Sequence, residues 1–149
     1  MKKTCKGQSL FEIVVAVGVI ALIMVVVVSL STSSVKTSTF ARDKTEANKL
    51  AGEAIEWLRG QRDESWTTFN SNTDTSPRCF DSLDWSSTAT CGASEFIVNT
   101  RFLREGSFTK TVEGVSLIID ATITITWTEP GGTHDIVVTT IFVQEGVQN

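Results

Sequence analysis

The chain has 149 residues, of which 41% are hydrophobic, and its formal charge at neutral pH is −4. This length is enough for one domain with a modest core. The acidic balance argues against nonspecific nucleic-acid binding, which needs a basic surface, so charge predicts no nucleic-acid partner.

A long apolar run lies close to the N-terminus. Ile13 to Val35 contains no charge over 23 residues, and Lys2, Lys3 and Lys6 precede it. As a helix rising about 1.5 Å per residue, the run can cross a hydrocarbon core of roughly 30 Å. The basic flank predicts a cytoplasmic N-terminus and export of the rest. We therefore expect a single-pass helix in the cell membrane.

The segment between the lysines and the apolar run reads Gly-Gln-Ser-Leu-Phe-Glu, from Gly7 and Gln8 to a single acid, Glu12. An ionisable group at the centre of a membrane helix costs on the order of 2.5–3.5 kcal/mol. Glu12 lies near the lysine flank and can sit at the interface at a smaller cost. It is either an incidental interfacial acid or an acid that needs a partner charge.

Gly7, Glu12 and the apolar run together resemble the type IV pilin-like family, which comprises pilins and the pseudopilins of type II secretion. The resemblance covers roughly residues 1 to 60. It implies that prepilin peptidase removes residues 1–7 by cutting after Gly7, and that the new amino group of Gln8 is methylated. It also implies that Glu12, fifth in the mature chain, pairs with the N-terminus of a neighbouring filament subunit.

Two features depart from the main pilins: Gln8 replaces the usual Phe or Met, and residues 8 to 64 contain no proline. They favour a minor pilin or a pseudopilin. The partners implied are other pilin or pseudopilin subunits, prepilin peptidase and the inner-membrane assembly machinery. The location implied is the membrane, followed by an extracytoplasmic filament or the cell surface. Pilus and type II secretion are not separable from these residues.

A secretory signal peptide is the competing interpretation, with cleavage after Ser31. The apolar residues Ile13 to Val28 number 16, whereas a signal peptide has a core of about 7–15 and no acid directly before it. We therefore favour a retained span at residues 8–35.

The helical pattern continues over residues 36–64 as an amphipathic segment. Ser29 to Thr39 is rich in Ser and Thr, which predicts a soft point in the helix. Gly60 is the expected stop. Beyond Phe40, one apolar stripe recurs at spacings of three and four residues and is expected to pack on the exported domain. The stripe comprises Ala47, Leu50, Ala51, Ala54, Ile55 and Leu58.

The exported domain, residues 65–149, begins with a loop. Ser and Thr supply 13 of residues 65 to 94. Cys5 would leave with the leader, so Cys79 and Cys91 are predicted to form a disulfide enclosing Phe80 to Thr90, worth about 3 kcal/mol. A metal site on two cysteines is the weaker alternative. The loop aromatics either contact a partner or fold back onto the domain.

The last third predicts an antiparallel sheet. Alternation suggests strands over Phe96–Leu103, Leu117–Trp127 and Ile136–Val143, with a turn at Glu129–Thr133. On the clearest strand, the apolar face runs from Leu117 to Trp127 and needs a cover, which the helix stripe supplies. The predicted fold is α+β, a long N-terminal helix packed on a C-terminal antiparallel sheet, as in pilins.

No catalytic, cofactor or metal motif stands out, and His134 beside Asp135 reads as surface decoration in a turn. We therefore expect a structural subunit and not an enzyme. The alternative from a different class is a membrane-anchored exported binding domain that does not polymerise.

Overall fold

The computed structural model describes residues 8–144, with side chains from residue 10 onward, and has an α+β fold. A long helix precedes a short one, and four strands follow. The elements are α1 (Gln8–Glu64), α2 (Trp66–Asn72), β1 (Arg78–Cys79), β2 (Leu103–Glu113), β3 (Ser116–Glu129) and β4 (Gly132–Gln144).

Helix α1 continues without a break for 57 residues. In the Ser/Thr-rich stretch, the Thr32 hydroxyl donates to the Val28 carbonyl at 2.9 Å and the Thr37 hydroxyl to the Ser33 carbonyl at 3.0 Å. Because these hydroxyls bond one turn back, they do not divert the backbone from its helical bonds. The predicted soft point is therefore regular helix. Gly60 also lies inside α1, and the predicted stop there is wrong.

The chain divides into two compact units between Asp43 and Lys44. The first unit contains the N-terminal part of α1. The second contains the rest of α1, α2 and the sheet, and it holds the whole hydrophobic core. The core therefore belongs to the part of the chain that is predicted to be exported.

The four strands form one sheet in the order β1-β2-β3-β4, and each pairs antiparallel with its neighbour. Glu129 pairs with Gly132, so the β3–β4 hairpin turns on two residues, the Pro-Gly of the predicted turn. The predicted strand over Phe96–Leu103 is wrong for all of its residues except Leu103, where β2 begins. Asn99 has a φ of 61°, and the Thr100 amide bonds the Ile97 carbonyl at 2.9 Å, so these residues form a turn before β2.

The core forms between the C-terminal part of α1 and the inner face of the sheet. All six stripe residues of α1 are buried, as predicted, and the alternation along β3 places its apolar residues inside. Leu117, at the start of β3, is half-buried. The buried β3 residues are Ile119, Ala121, Ile123, Ile125 and Trp127.

Candidate functional site

The predicted processing site lies at the N-terminal end of α1. Gly7 is outside the described residues, and Gln8 is the first residue of the helix. Glu12 lies on the first turns of α1 and is exposed. The next ionisable residue along the helix is Lys36. The apolar run of α1 therefore offers Glu12 no partner charge of its own.

The surface around Glu12 is apolar and uncovered. Every large apolar side chain from Leu10 to Val35 is exposed, with exposed fractions from 47% at Val15 to 74% at Leu10 and Phe11. Monomeric soluble proteins rarely expose apolar patches beyond roughly 300–600 Å². By length and composition, this is one helix able to cross a membrane. Its surface needs lipid or other protein as a cover.

The predicted disulfide is present: the sulfur atoms of Cys79 and Cys91 are 2.02 Å apart. Cys79 belongs to β1, and the Cys91 amide donates to a Glu105 carboxylate oxygen at 3.3 Å. The bridge therefore ties the polar loop to β2.

The aromatic residues of this loop fold back onto the domain. Phe80 is fully buried against Gly106, where an added Cβ would lie 3.0 Å from Phe80 Cδ2. Trp85 is half-buried, its centroid is 4.8 Å from that of Trp57, and its Nε1 donates to Gln61 at 2.8 Å. A role in partner contact is therefore wrong for Phe80, because its ring is inside the core.

Two buried arginines organise the loop, and the sequence analysis missed both. Arg78 Nε donates to the carbonyls of Asn72 and Thr75, at 3.0 and 3.2 Å. Its Nη1 donates to those of Trp85 and Ser87. Burial lowers the pKa of Arg78. One guanidinium thus bonds four carbonyls, that of Asn72 at the end of α2 and three in the loops around β1.

Arg104 joins three elements of the domain. Its Nε donates to the Phe80 carbonyl at 2.9 Å and its Nη1 to the Leu50 carbonyl of α1 at 3.2 Å. Burial lowers the pKa of Arg104, and the charges of Glu53 and Asp81 oppose that shift. Once the bounds of β2 are known, its alternation places Arg104 on the buried face, and a buried arginine indicates hydrogen bonds to other elements.

The β3–β4 hairpin end carries a small pocket of about 130 Å³. His134 lies in β4 and not in the turn, half-buried with its ring centroid 5.6 Å from that of Trp127. A prediction of surface decoration is therefore wrong for His134. Arg101 and Glu129 approach to 3.8 Å at this end. The pocket is lined by Phe96, Arg101, Leu103, Thr126, Trp127 and Thr128.

Comparison of the chain with family models, with curated proteins and with solved structures gave no match. Among residues 10–144, no three His, Cys, Asp or Glu side chains form a group that could hold a metal ion. The prominent features are an uncovered apolar helix surface with one acid and a separately packed, disulfide-bonded domain.

Proposed function

We propose that this chain is a structural subunit, a minor pilin or pseudopilin, of a type IV pilus-like or type II secretion filament. The carrying observation is the exposed apolar surface of α1 from Leu10 to Val35, with Glu12 as its only charge. Lipid covers this surface before assembly, and the helices of neighbouring subunits cover it in the filament. The Gly7–Gln8 peptide bond directly precedes the helix and is the processing site.

Cleavage after Gly7 supplies the charge that Glu12 lacks. The cut creates an ammonium group on Gln8, and in a staggered stack the Glu12 carboxylate of one subunit meets that group on another. A buried charge left alone is penalised, whereas a paired one is tolerated, so the pair selects the register of assembly. Apolar contact exists in lipid and in filament alike, so the energy for extraction comes from the assembly machinery.

The first test is the N-terminal sequence and intact mass of the protein recovered from cells. A chain that begins at Gln8, with or without an added methyl group, supports prepilin processing. A chain that begins at Thr32 indicates ordinary secretion, and an uncut Met1 indicates a simple anchor. Either of the last two results would remove the filament proposal.

The second test is substitution of Glu12. We expect Glu12→Val to remain in the membrane but to enter filaments at least about tenfold less, which corresponds to about 1.4 kcal/mol. Glu12→Asp keeps the carboxylate and serves as the matched control. The measurement is the ratio of the amount of each variant in filaments sheared from the cells to the amount that remains in the membrane. Normal incorporation of Glu12→Val would refute the pairing mechanism.

A membrane-anchored binding domain is the second candidate, and the pocket beside Phe96 and Arg101 favours it. An anchor of this kind needs the apolar helix but neither the Gly7 cut nor the acid. Glu12→Val separates the two candidates, because the substitution leaves an anchor intact and removes a subunit from the filament.

A further inference from the structure

Strand β4 forms an open edge of the sheet. In the part of the chain that the structure describes, β3 is the only strand beside it. Pairing with β3 is unbroken over all 13 residues of β4, from the Glu129–Gly132 pair to the Leu117–Gln144 pair. The edge is therefore long, regular and free of a bulge.

The hydrogen-bond parity identifies the groups that face outward. The Arg104 carbonyl bonds the Phe80 amide, and the Phe108 amide bonds the Ser76 hydroxyl, so even-numbered residues of β2 point away from β3. Odd-numbered β2 residues therefore bond even-numbered β3 residues, which leaves the odd-numbered β3 residues to bond β4. Because odd-numbered β3 residues pair with even-numbered β4 residues, the odd-numbered β4 residues direct their N–H and C=O groups to the open edge. Those six residues are Thr133, Asp135, Val137, Thr139, Ile141 and Val143.

This edge lacks the features that protect sheet edges. Such edges are blunted by lysine, proline, bulges or short strands. Gly132–Gln144 contains no Lys, Arg or Pro, and Asp135 is its only acid. An edge with these properties is a template for another strand.

The exposed side chains of β4 differ between the two ends of the strand. Val137, Ile141 and Val143 are 57%, 60% and 49% exposed. Asp135 lies at the opposite end, near the hairpin turn. The edge therefore offers an apolar half and an acidic end.

We propose that β4 binds an extended segment of a partner protein as a fifth strand of the sheet. Backbone hydrogen bonds to the six outward residues supply affinity, as in strand addition generally. The fitting segment places β-branched apolar residues opposite Val137 and Ile141, and a Lys or Arg opposite Asp135.

A second copy of this chain fits the edge less well. On the other edge of β2, the Phe80 amide bonds the Arg104 carbonyl, Arg78 pairs with Gly106, and the Phe108 amide bonds the Ser76 hydroxyl. Of the even-numbered β2 residues, this leaves Lys110 and Val112 to face outward. Antiparallel pairing of β4 with the β4 of a second copy has a two-fold axis normal to the sheet, so it points the two covering helices in opposite directions. Subunits anchored in one membrane point the same way, and this exclusion rests on the proposed function.

The experiment begins with a photo-crosslinking amino acid at Thr139 of the full-length protein, in cells that produce it, with Val98 as the exposed control site. Mass spectrometry identifies the cross-linked segment. The segment is then synthesised and added to the full-length protein in detergent micelles, and amide exchange is measured by NMR. We expect at least tenfold slower exchange at the six odd-numbered β4 amides.

Two substitutions isolate the edge from the rest of the fold. Thr139→Pro removes an outward N–H without removing a bond to β3, and an edge strand tolerates it. Thr139→Val keeps the N–H and is the matched control, because both variants lose the 3.2 Å hydroxyl contact with Thr122. We expect the proline variant, and not the valine variant, to lose at least tenfold in affinity for the segment.

Several outcomes would overturn the proposal. These are a cross-link to a second copy, no cross-link at Thr139, or a segment that leaves the odd-numbered amides unprotected. Equal binding by the two Thr139 variants would do the same. None of these results affects cleavage at Gly7 or the Glu12 substitution, so failure here is distinguishable from failure of the filament proposal.

Discussion

At the level of single residues, Arg78 holds the polar loop in one conformation. Its two donor nitrogens reach four carbonyls between Asn72 and Ser87, and its guanidinium lies 5.3 Å from the Trp85 ring centroid. A loop this rich in Ser and Thr has little apolar surface to bury, so its order depends on such bonds. The buried charge is tolerated because it is solvated by carbonyl oxygens.

We predict that Arg78→Met lowers the free energy of unfolding by about 2–3 kcal/mol, because buried carbonyls lose charged donors. Arg78→Lys should recover only part, since one ammonium cannot replace a planar guanidinium with two bonding nitrogens. Urea unfolding followed by tryptophan fluorescence measures both variants. All four tryptophans lie in the second unit, so the signal reports that unit alone. Equal stability of Met and wild type would contradict the bracing role.

The role of a residue could be predicted from the sequence only where a local sequence pattern indicates it. The cysteine pair was predictable, because only two of the three cysteines, Cys79 and Cys91, follow the apolar run, which left each of them one partner there. Arg78 and Arg104 were not, since a charged residue in a polar loop or strand normally lies in solvent. Their burial follows from tertiary bonds to carbonyls that local sequence does not identify.

At the level of elements, the disulfide closes the loop that Arg78 braces. The cysteines are 12 residues apart, and Cys79 also belongs to β1, so the bridge anchors the sheet edge next to the loop. The disulfide bond and the Arg78 guanidinium both hold the segment between Cys79 and Cys91. Losing one should leave the loop held by the other.

We predict that reductant lowers the free energy of unfolding by about 3 kcal/mol, the chain-entropy value for a loop near this size. The double variant Cys79→Ser, Cys91→Ser is the control and should be indifferent to reductant. Thiol titration of the denatured protein checks the bond itself and should yield two further thiols after reduction. An unchanged thiol count would refute it.

The periodicity of apolar residues predicted some secondary-structure elements correctly and failed for one segment. The α1 stripe and the β3 alternation were predicted correctly, because each buries one face against the other. Phe96–Leu103 alternates equally well, yet forms a turn closed by Thr100 and Asn99. Apolar alternation alone does not supply a neighbouring strand. The Thr100 hydroxyl, which donates to the Ile97 carbonyl at 2.8 Å and accepts from the Phe102 amide at 3.2 Å, holds that segment in a turn. The strand β2 begins where a partner, β3, is available.

At the level of the whole molecule, the apolar surface and the hydrophobic core belong to different parts of the chain. The core runs from Ala47 to Phe142 and contains no residue of the Leu10–Val35 surface. The first part therefore exposes an apolar surface, and the second has a hydrophobic core of its own. A filament subunit needs both properties, and so does an anchored domain.

We predict that residues 36–149 fold without the apolar run, because they retain the entire core, the disulfide and both buried arginines. The fragment should be soluble without detergent and unfold cooperatively, with a free energy within about 1 kcal/mol of the full-length value. Urea titration by tryptophan fluorescence and circular dichroism, with full-length protein in micelles as the control, measures this. Non-cooperative unfolding would mean that the apolar helix helps to stabilise the domain, and mutations in α1 would then have to be interpreted for folding before assembly.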